Sequence, residues 1–126
     1  MKNKLYLANQ RYSEEELEGN IHLFSDYDWY LISQFQNLSE DFIDKHSGKV
    51  DWIAICRTQI LSELFIEKNL DKLDWYYISM YQKLSERFIR KHIRKIDINW
   101  LMGNEKISKN IKSEIKKEIN LLKDII

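Results

Sequence analysis

The sequence has no proline, three glycines and one cysteine among its 126 residues. Few positions are therefore available for breaking helices or for building tight hairpins. The single cysteine, Cys56, excludes an intramolecular disulfide framework and a multi-cysteine metal site, and it fits a reducing compartment. Because no base that would activate a nucleophile is evident, we interpret Cys56 as a small packing residue.

Long apolar runs and an excess of one charge are also missing. No segment approaches the roughly 20 apolar residues that a bilayer-spanning helix needs, and the N-terminus has no signal-peptide pattern. Twenty Lys and Arg balance twenty Asp and Glu, so the total charge indicates neither a general nucleic-acid binder nor a nucleic-acid mimic. We expect one soluble domain, residues 1–126, in the cytoplasm and without membrane association.

A unit of 23 residues occurs three times without a gap, over residues 28–50, 51–73 and 74–96. Eleven of its 23 positions are identical in all three copies, including Asp-Trp at the start, a central Gln, Leu-Ser-Glu and Phe-Ile. Such a fixed period indicates a repeat architecture.

Two helix starts are predicted in each unit. The first-position Asp and the Ser at position 12 are both favourable N-caps. A helix pair this short cannot bury its own Trp, Ile and Phe, so stacking of neighbouring units must supply the core. The sequence thus predicts an all-α fold, a short α-solenoid of two-helix repeats, in which the repeated Trp packs in the core and the repeated Gln is a buried bridge to backbone groups.

Atypical segments flank the repeats. Residues 1–27 are predicted to form an N-terminal cap, in which Ser13, Glu14 and Leu17 imitate the second helix of a unit, and residues 5–7 form either part of this cap or a short extended segment. Residues 97–126 are predicted to form the C-terminal cap, in which Gly103 and Asn104 mark a turn before a long capping helix. Its apolar stripe comprises Ile107, Ile111, Ile115, Ile119, Leu122 and Ile126.

The C-terminal stripe has a second interpretation. It can pair with another copy of the chain, which would give a homodimer through residues 104–126. The lack of aromatic residues in this helix argues against binding to a membrane surface.

The pattern DWxxISxxQxLSExFI, over residues 27–96, resembles the short tandem helical repeats of proteins from bacteriophages, large DNA viruses and low-GC bacteria. The resemblance implies a helical repeat protein of phage or mobile-element type, in the host cytoplasm if phage-encoded, and it carries no catalytic residues. Small phage proteins of this kind bind host machinery, as anti-CRISPR proteins do. The resemblance therefore implies an inhibitor that binds and occludes a host defence complex. This inference rests on the class of protein alone.

No constellation of residues indicates a reaction. The three histidines, His22, His46 and His92, do not form a set of converging metal ligands. There is no phosphate-binding glycine loop, and no carboxylate pair is marked for acid–base catalysis. We predict a non-enzymatic protein without metal or cofactor.

Charge is distributed unevenly along the chain, with −5 over residues 1–73 and +5 over residues 74–126. Arginine and aromatic residues together are typical of binding hot spots. We therefore predict a protein-interaction module whose partner-binding residues are Tyr76, Tyr77, Tyr81, Lys83, Arg87, Arg90, Lys91, Arg94 and Lys95. Three alternatives remain open: binding of an RNA or DNA backbone by the same basic repeat, a structural homo-oligomer, and a charged face that is simply solvated.

Overall fold

The computed structural model describes residues 5–125, with side chains through residue 124. All regular structure in this range is helical, which confirms the all-α prediction. The chain divides into two compact units, of which the first ends at Gln59 and the second begins at Ile60.

Each 23-residue repeat contains two α-helices. The first compact unit, which ends at Gln59 and is distinct from a 23-residue repeat, contains α1 (Glu14–Gly19), a 3-10 turn (Ile21–Leu23), α2 (Asp26–Phe35), α3 (Glu40–Lys45) and α4 (Trp52–Thr58). The second unit contains α5 (Glu63–Lys68), α6 (Trp75–Tyr81), α7 (Glu86–Lys91), α8 (Ile98–Met102) and α9 (Lys109–Ile125).

Polar N-caps begin the helices largely where the sequence predicts them. Asp51 accepts a hydrogen bond from the Ala54 amide at 2.9 Å, and the second-helix serines cap in the same way. The first repeat differs, because α2 begins at Asp26, before the predicted Asp28. Ser25 and Asp28 form a reciprocal capping box there, which satisfies two amides and extends the helix toward its N-terminus.

The repeated glutamine is buried and bridges backbone groups, as predicted. Gln59 donates from Nε2 to the carbonyls of Ser33, at 3.1 Å, and Gln36, at 2.7 Å, while its Oε1 accepts from the Leu38 amide at 3.2 Å. In the second unit, Gln82 Oε1 likewise accepts from the Leu61 amide at 3.1 Å. These amides thus pair with backbone groups in the last turn of the preceding first helix or just after it.

The same bridge occurs beyond the sequence repeats at the N-terminal end. Gln36 Nε2 donates to the carbonyls of Leu7 and Gln10, both at 2.7 Å, and its Oε1 accepts from the Tyr12 amide at 2.9 Å. These partners precede Ser33, Gln36 and Leu38 by 26 residues, so the N-terminal segment imitates a repeat with three extra residues. The predicted likeness of Ser13 and Leu17 to a second helix is confirmed, since Ser13 caps α1 and Leu17 is fully buried. Residues 5–7 form neither a strand nor a helix.

An asparagine continues the bridge after the third repeat. Asn104 Nδ2 donates to the carbonyls of Ser79 and Gln82, both at 2.8 Å. The predicted turn at Gly103 and Asn104 is confirmed, because α8 ends at Met102 and α9 begins at Lys109. The helix α8, which Asp97 caps, was not predicted. The apolar stripe of α9 packs against α7 and α8, with Ile115 and Ile119 buried; Ile126 lies outside the described residues.

Two lysines fix the ends of short helices in the second unit. Lys112 is buried and donates from Nζ to the carbonyls of Met102, at 3.1 Å, and Asn104, at 2.9 Å. Lys106 Nζ donates to the Tyr81 carbonyl at 2.7 Å. Each ammonium meets the negative end of a helix, where a cation is favourable.

The substitution Gln36→Ala tests the bridge. We expect the free energy of unfolding to fall by about 1–3 kcal/mol, because leaving a buried backbone carbonyl or amide without a hydrogen-bond partner destabilises the fold by that amount. The control is Gln34→Ala, since Gln34 Oε1 is buried without a partner among the described residues. Its removal should lower the free energy of unfolding by less. Urea unfolding gives both values, and equal losses would contradict the proposed role of Gln36.

Candidate functional site

All nine residues predicted to bind a partner lie in the second unit. Helix α6 carries Tyr76, Tyr77 and Tyr81, and helix α7 carries Arg87, Arg90 and Lys91. The remaining three, Lys83, Arg94 and Lys95, flank α7 in the connecting segments.

The three tyrosines share one aromatic cluster. Tyr76 and Tyr77 both pack against Trp100 of α8, with ring centroids 5.6 and 5.7 Å away, and Tyr77 stacks on Tyr81 at 6.4 Å. Tyr77 and Tyr81 are partly buried, whereas Tyr76 is 50% exposed. Tyr76 is thus the member most available to a partner. Sequence reasoning missed Trp100, which falls two residues away from the tryptophan position of the repeat.

Arg90 is engaged within the second unit. Its guanidinium bonds to Glu86 of its own helix, at 3.0 Å, and to Glu118 of α9, and it lies 3.6 Å from Glu114. The hydrogen bonds to Glu118, foremost, and to Glu86 raise the pKa of Arg90 above its ordinary value. We therefore assign Arg90 a role in joining α7 to α9, which sequence reasoning missed because it depends on how α9 packs.

Lys91 is also engaged. Glu67 of α5 accepts from Lys91 Nζ at 2.8 Å and lies 2.9 Å from His92 Nε2. The hydrogen bond from Lys91, followed by that from His92, holds the pKa of Glu67 below its ordinary value. The first unit repeats this arrangement, where Glu18 lies 2.6 Å from His46 Nε2 and 3.4 Å from Lys45 Nζ.

The histidines in these contacts also close an aromatic cluster. His92 packs on Phe88 and Trp75, with centroids 4.6 and 5.1 Å away. His46 packs in the same way on Phe42 and Trp29, at 4.7 and 5.2 Å. Trp29 and Trp75 therefore pack against aromatic side chains of their own repeats. Trp29 is buried, as its predicted core role requires, whereas Trp52 and Trp75 are only partly buried.

Four of the predicted cations remain uncommitted. Each is exposed and makes no ion pair or side-chain hydrogen bond with any residue in the described range. They are Lys83, Arg87, Arg94 and Lys95. The predicted patch of six cations is thus divided into two that hold the fold together and four that face solvent.

A groove borders the C-terminal end of this patch. It has a volume of about 340 Å³, and Arg94 and Lys123 line it beside Ile93, Ile98 and Ile119. Asp97 lines it as well, so the groove combines apolar walls with charges of both signs. The groove thus adjoins the predicted patch at Arg94.

Within residues 5–125, no group of three His, Cys, Asp or Glu side chains is placed to hold a metal ion. Cys56 is buried, as its predicted packing role requires. No helix in the described part of the chain has the length and apolar character to cross a membrane. Comparison with protein-family models, curated proteins and solved structures gives no match.

The ion pair of Glu67 predicts a pH effect. Because its pKa in the folded state lies below the ordinary value near 4.5, the ionised carboxylate stabilises the fold above that value, and the stabilisation is lost as the pH falls through the lowered pKa. Glu67→Gln should therefore reduce the loss of stability between about pH 5 and pH 3.

The matched control is Glu105→Gln, which removes an exposed carboxylate that makes no side-chain ion pair in the described range. Urea midpoints at both pH values give the comparison. If both variants keep the pH dependence of the parent protein, the Glu67 pair does not contribute to stability.

Proposed function

We propose that this chain is a non-enzymatic protein-interaction module that binds an acidic protein surface through Lys83, Arg87, Arg94 and Lys95, next to Tyr76. The observation that carries the proposal is the division of the basic patch. Arg90 and Lys91 are neutralised within the second unit, whereas these four cations lack partners in the described residues.

Uncommitted cations are effective in recognition because binding does not require an existing ion pair to be broken. Their field also accelerates encounter with a partner of opposite charge. Arg87 and Arg94 add planar guanidinium groups that can grip a carboxylate with two parallel hydrogen bonds. Tyr76 supplies a rigid apolar contact beside them, a combination typical of binding hot spots.

The scaffold we propose is a short α-solenoid. Support comes from the hydrogen bonds that recur at equivalent positions, such as those of Gln36 and Gln59 in the first unit and those of Asn104 in the second. Solenoids leave the outer positions of each repeat free to vary, and they use those positions for binding.

The resemblance of the repeats to those of phage and viral proteins supports a further step. We take the partner to be a host complex, and occlusion of a host defence assembly, in the manner of anti-CRISPR proteins, to be the effect. This step rests on class membership, whereas the binding surface rests on side-chain geometry.

Nucleic-acid binding is the main rival, since a basic repeat with aromatic residues can also hold a phosphate backbone. The aromatic geometry favours a protein partner. Tyr77 and Tyr81 are partly buried against each other and Trp100, which leaves Tyr76 as the one predicted tyrosine whose ring is well exposed for base stacking. A row of stacking platforms is therefore missing from this part of the structure.

The double substitution Arg87→Glu and Arg94→Glu tests the proposal. The immobilised parent protein should retain a specific protein from a lysate of the cell that carries the gene. The double variant should retain at least about 90% less of that protein, because each substitution replaces attraction to an acidic surface by repulsion. Quantitative mass spectrometry of the retained proteins measures the loss.

The matched control is Lys116→Glu with Lys117→Glu, which changes the net charge equally at exposed positions of α9. It should retain the partner. If both variants lose the partner equally, the total charge and not the site explains the loss. Unchanged capture by the arginine variant would overturn the site. Loss of capture after nuclease treatment would favour nucleic-acid binding.

A further inference from the structure

Two aliphatic residues of the second repeat are displayed to solvent. Ile60 is 86% exposed and Leu64 is 81% exposed, more than any other large apolar side chain in the described range. They lie four residues apart, Ile60 two residues before the N-cap Ser62 and Leu64 in the first turn of α5. Contiguous exposed apolar surface is typical of interaction sites.

The repeat itself shows that the fold does not require this pair. Asn37 and Asp41 hold the same two positions in the first repeat, and Lys83 and Arg87 hold them in the third. All six side chains are exposed. The residue type at these positions is therefore free to serve binding.

Helices α5 and α7 run side by side in the same direction. Glu63, in the first turn of α5, accepts from the backbone amide of Ser85, at 2.6 Å, and from its hydroxyl, at 2.9 Å. Glu67, in the last turn of α5, meets Lys91 and His92 at the end of α7. The two helices are thus joined at both ends.

This alignment places the aliphatic pair beside a basic pair. Because α5 and α7 are equivalent helices with equivalent caps, Leu64 and Arg87 point to the same side, as do Ile60 and Lys83. The bonds of Glu63 and Glu67 make the two helices neighbours. The four residues Ile60, Leu64, Lys83 and Arg87 therefore form one surface, which we name the α5–α7 face.

We propose that the α5–α7 face docks an acidic amphipathic helix of the partner. Its apolar side chains cover Ile60 and Leu64, and its carboxylates meet Lys83 and Arg87. A helix suits this face because its ridge of side chains fits the groove between two parallel helices. This inference rests on the proposed function, whose cations Lys83 and Arg87 it shares, and it adds the apolar half of the site.

Charge complementarity selects an acidic partner. Residues 60–126 contain 14 Lys and Arg against 10 Asp and Glu, a net charge of +4, and Lys83 and Arg87 have no partner in the described range. A second copy docked by its own α5–α7 face would bring like charges together, which is unfavourable. A helix with glutamates flanking its leucines satisfies both halves of the face.

The probe is a synthetic peptide of about 18 residues with leucine at helical spacing and glutamate beside it, labelled for fluorescence anisotropy. The full chain should bind it, and the double variant Ile60→Asn with Leu64→Asp should bind at least about tenfold more weakly, because the apolar contact is lost and the new carboxylate repels the glutamates. The first repeat has these same residues at these positions, so the fold should tolerate them, which circular dichroism checks. A peptide with lysine in place of glutamate should not bind.

The control is Leu121→Asn, which removes an exposed aliphatic side chain from α9 and should leave peptide binding unchanged. Equal binding by the parent and the I60N/L64D variant overturns the α5–α7 face, even if the arginine variant loses its captured protein and the proposed function stands. Self-association that I60N/L64D abolishes, without peptide binding, overturns the stated occupant in favour of a second copy.

Discussion

The fold depends on a buried side-chain amide that pairs with backbone groups of the preceding segment. A chain of short helices has many amides and carbonyls that no helix satisfies, and burying them unpaired would cost more than the stability of a small domain allows. A primary amide offers two donors and one carbonyl acceptor, so a single side chain can satisfy several backbone groups. Gln36 does this with three bonds, to Leu7, Gln10 and Tyr12.

This arrangement separates the residues that hold the fold from the residues that vary. The interior positions keep Ile, Phe and the amide, and Glu63, at position 13 of the second repeat, joins α5 to α7 through Ser85. The exposed positions 10 and 14 are then free, and they read Asn and Asp, Ile and Leu, and Lys and Arg in the successive repeats. Binding chemistry can change at these positions without cost to the core.

The repeat makes much of the structure predictable from sequence, because local capping and a fixed period determine where short helices begin. The start at Asp51, the second-helix caps and the buried glutamines follow from those rules. Interactions that depend on packing do not. The contact of Arg90 with Glu118 requires α9 to lie against α7, and neither the spacing of the two residues nor their charge indicates it.

The ends of the repeat are the second place where sequence reasoning is insufficient. Asn104 performs the bridging of the repeated glutamine although it lies one position early and has a shorter side chain. The N-terminal segment keeps the bridge across an offset of 26 residues. A search for identical residues at a spacing of 23 detects neither bridge, because these ends keep the hydrogen bonds of the repeat but not its residues at that spacing.

Hydrogen exchange of the side-chain amides, followed by NMR in D2O, tests the central role of these bridges most directly. The NH2 groups of Gln36, Gln59, Gln82 and Asn104, all buried, should exchange far more slowly than those of Asn110 and Asn120, which are exposed on α9, because a buried, hydrogen-bonded group exchanges only when the structure opens. Exchange at the same rate in both sets would contradict the account.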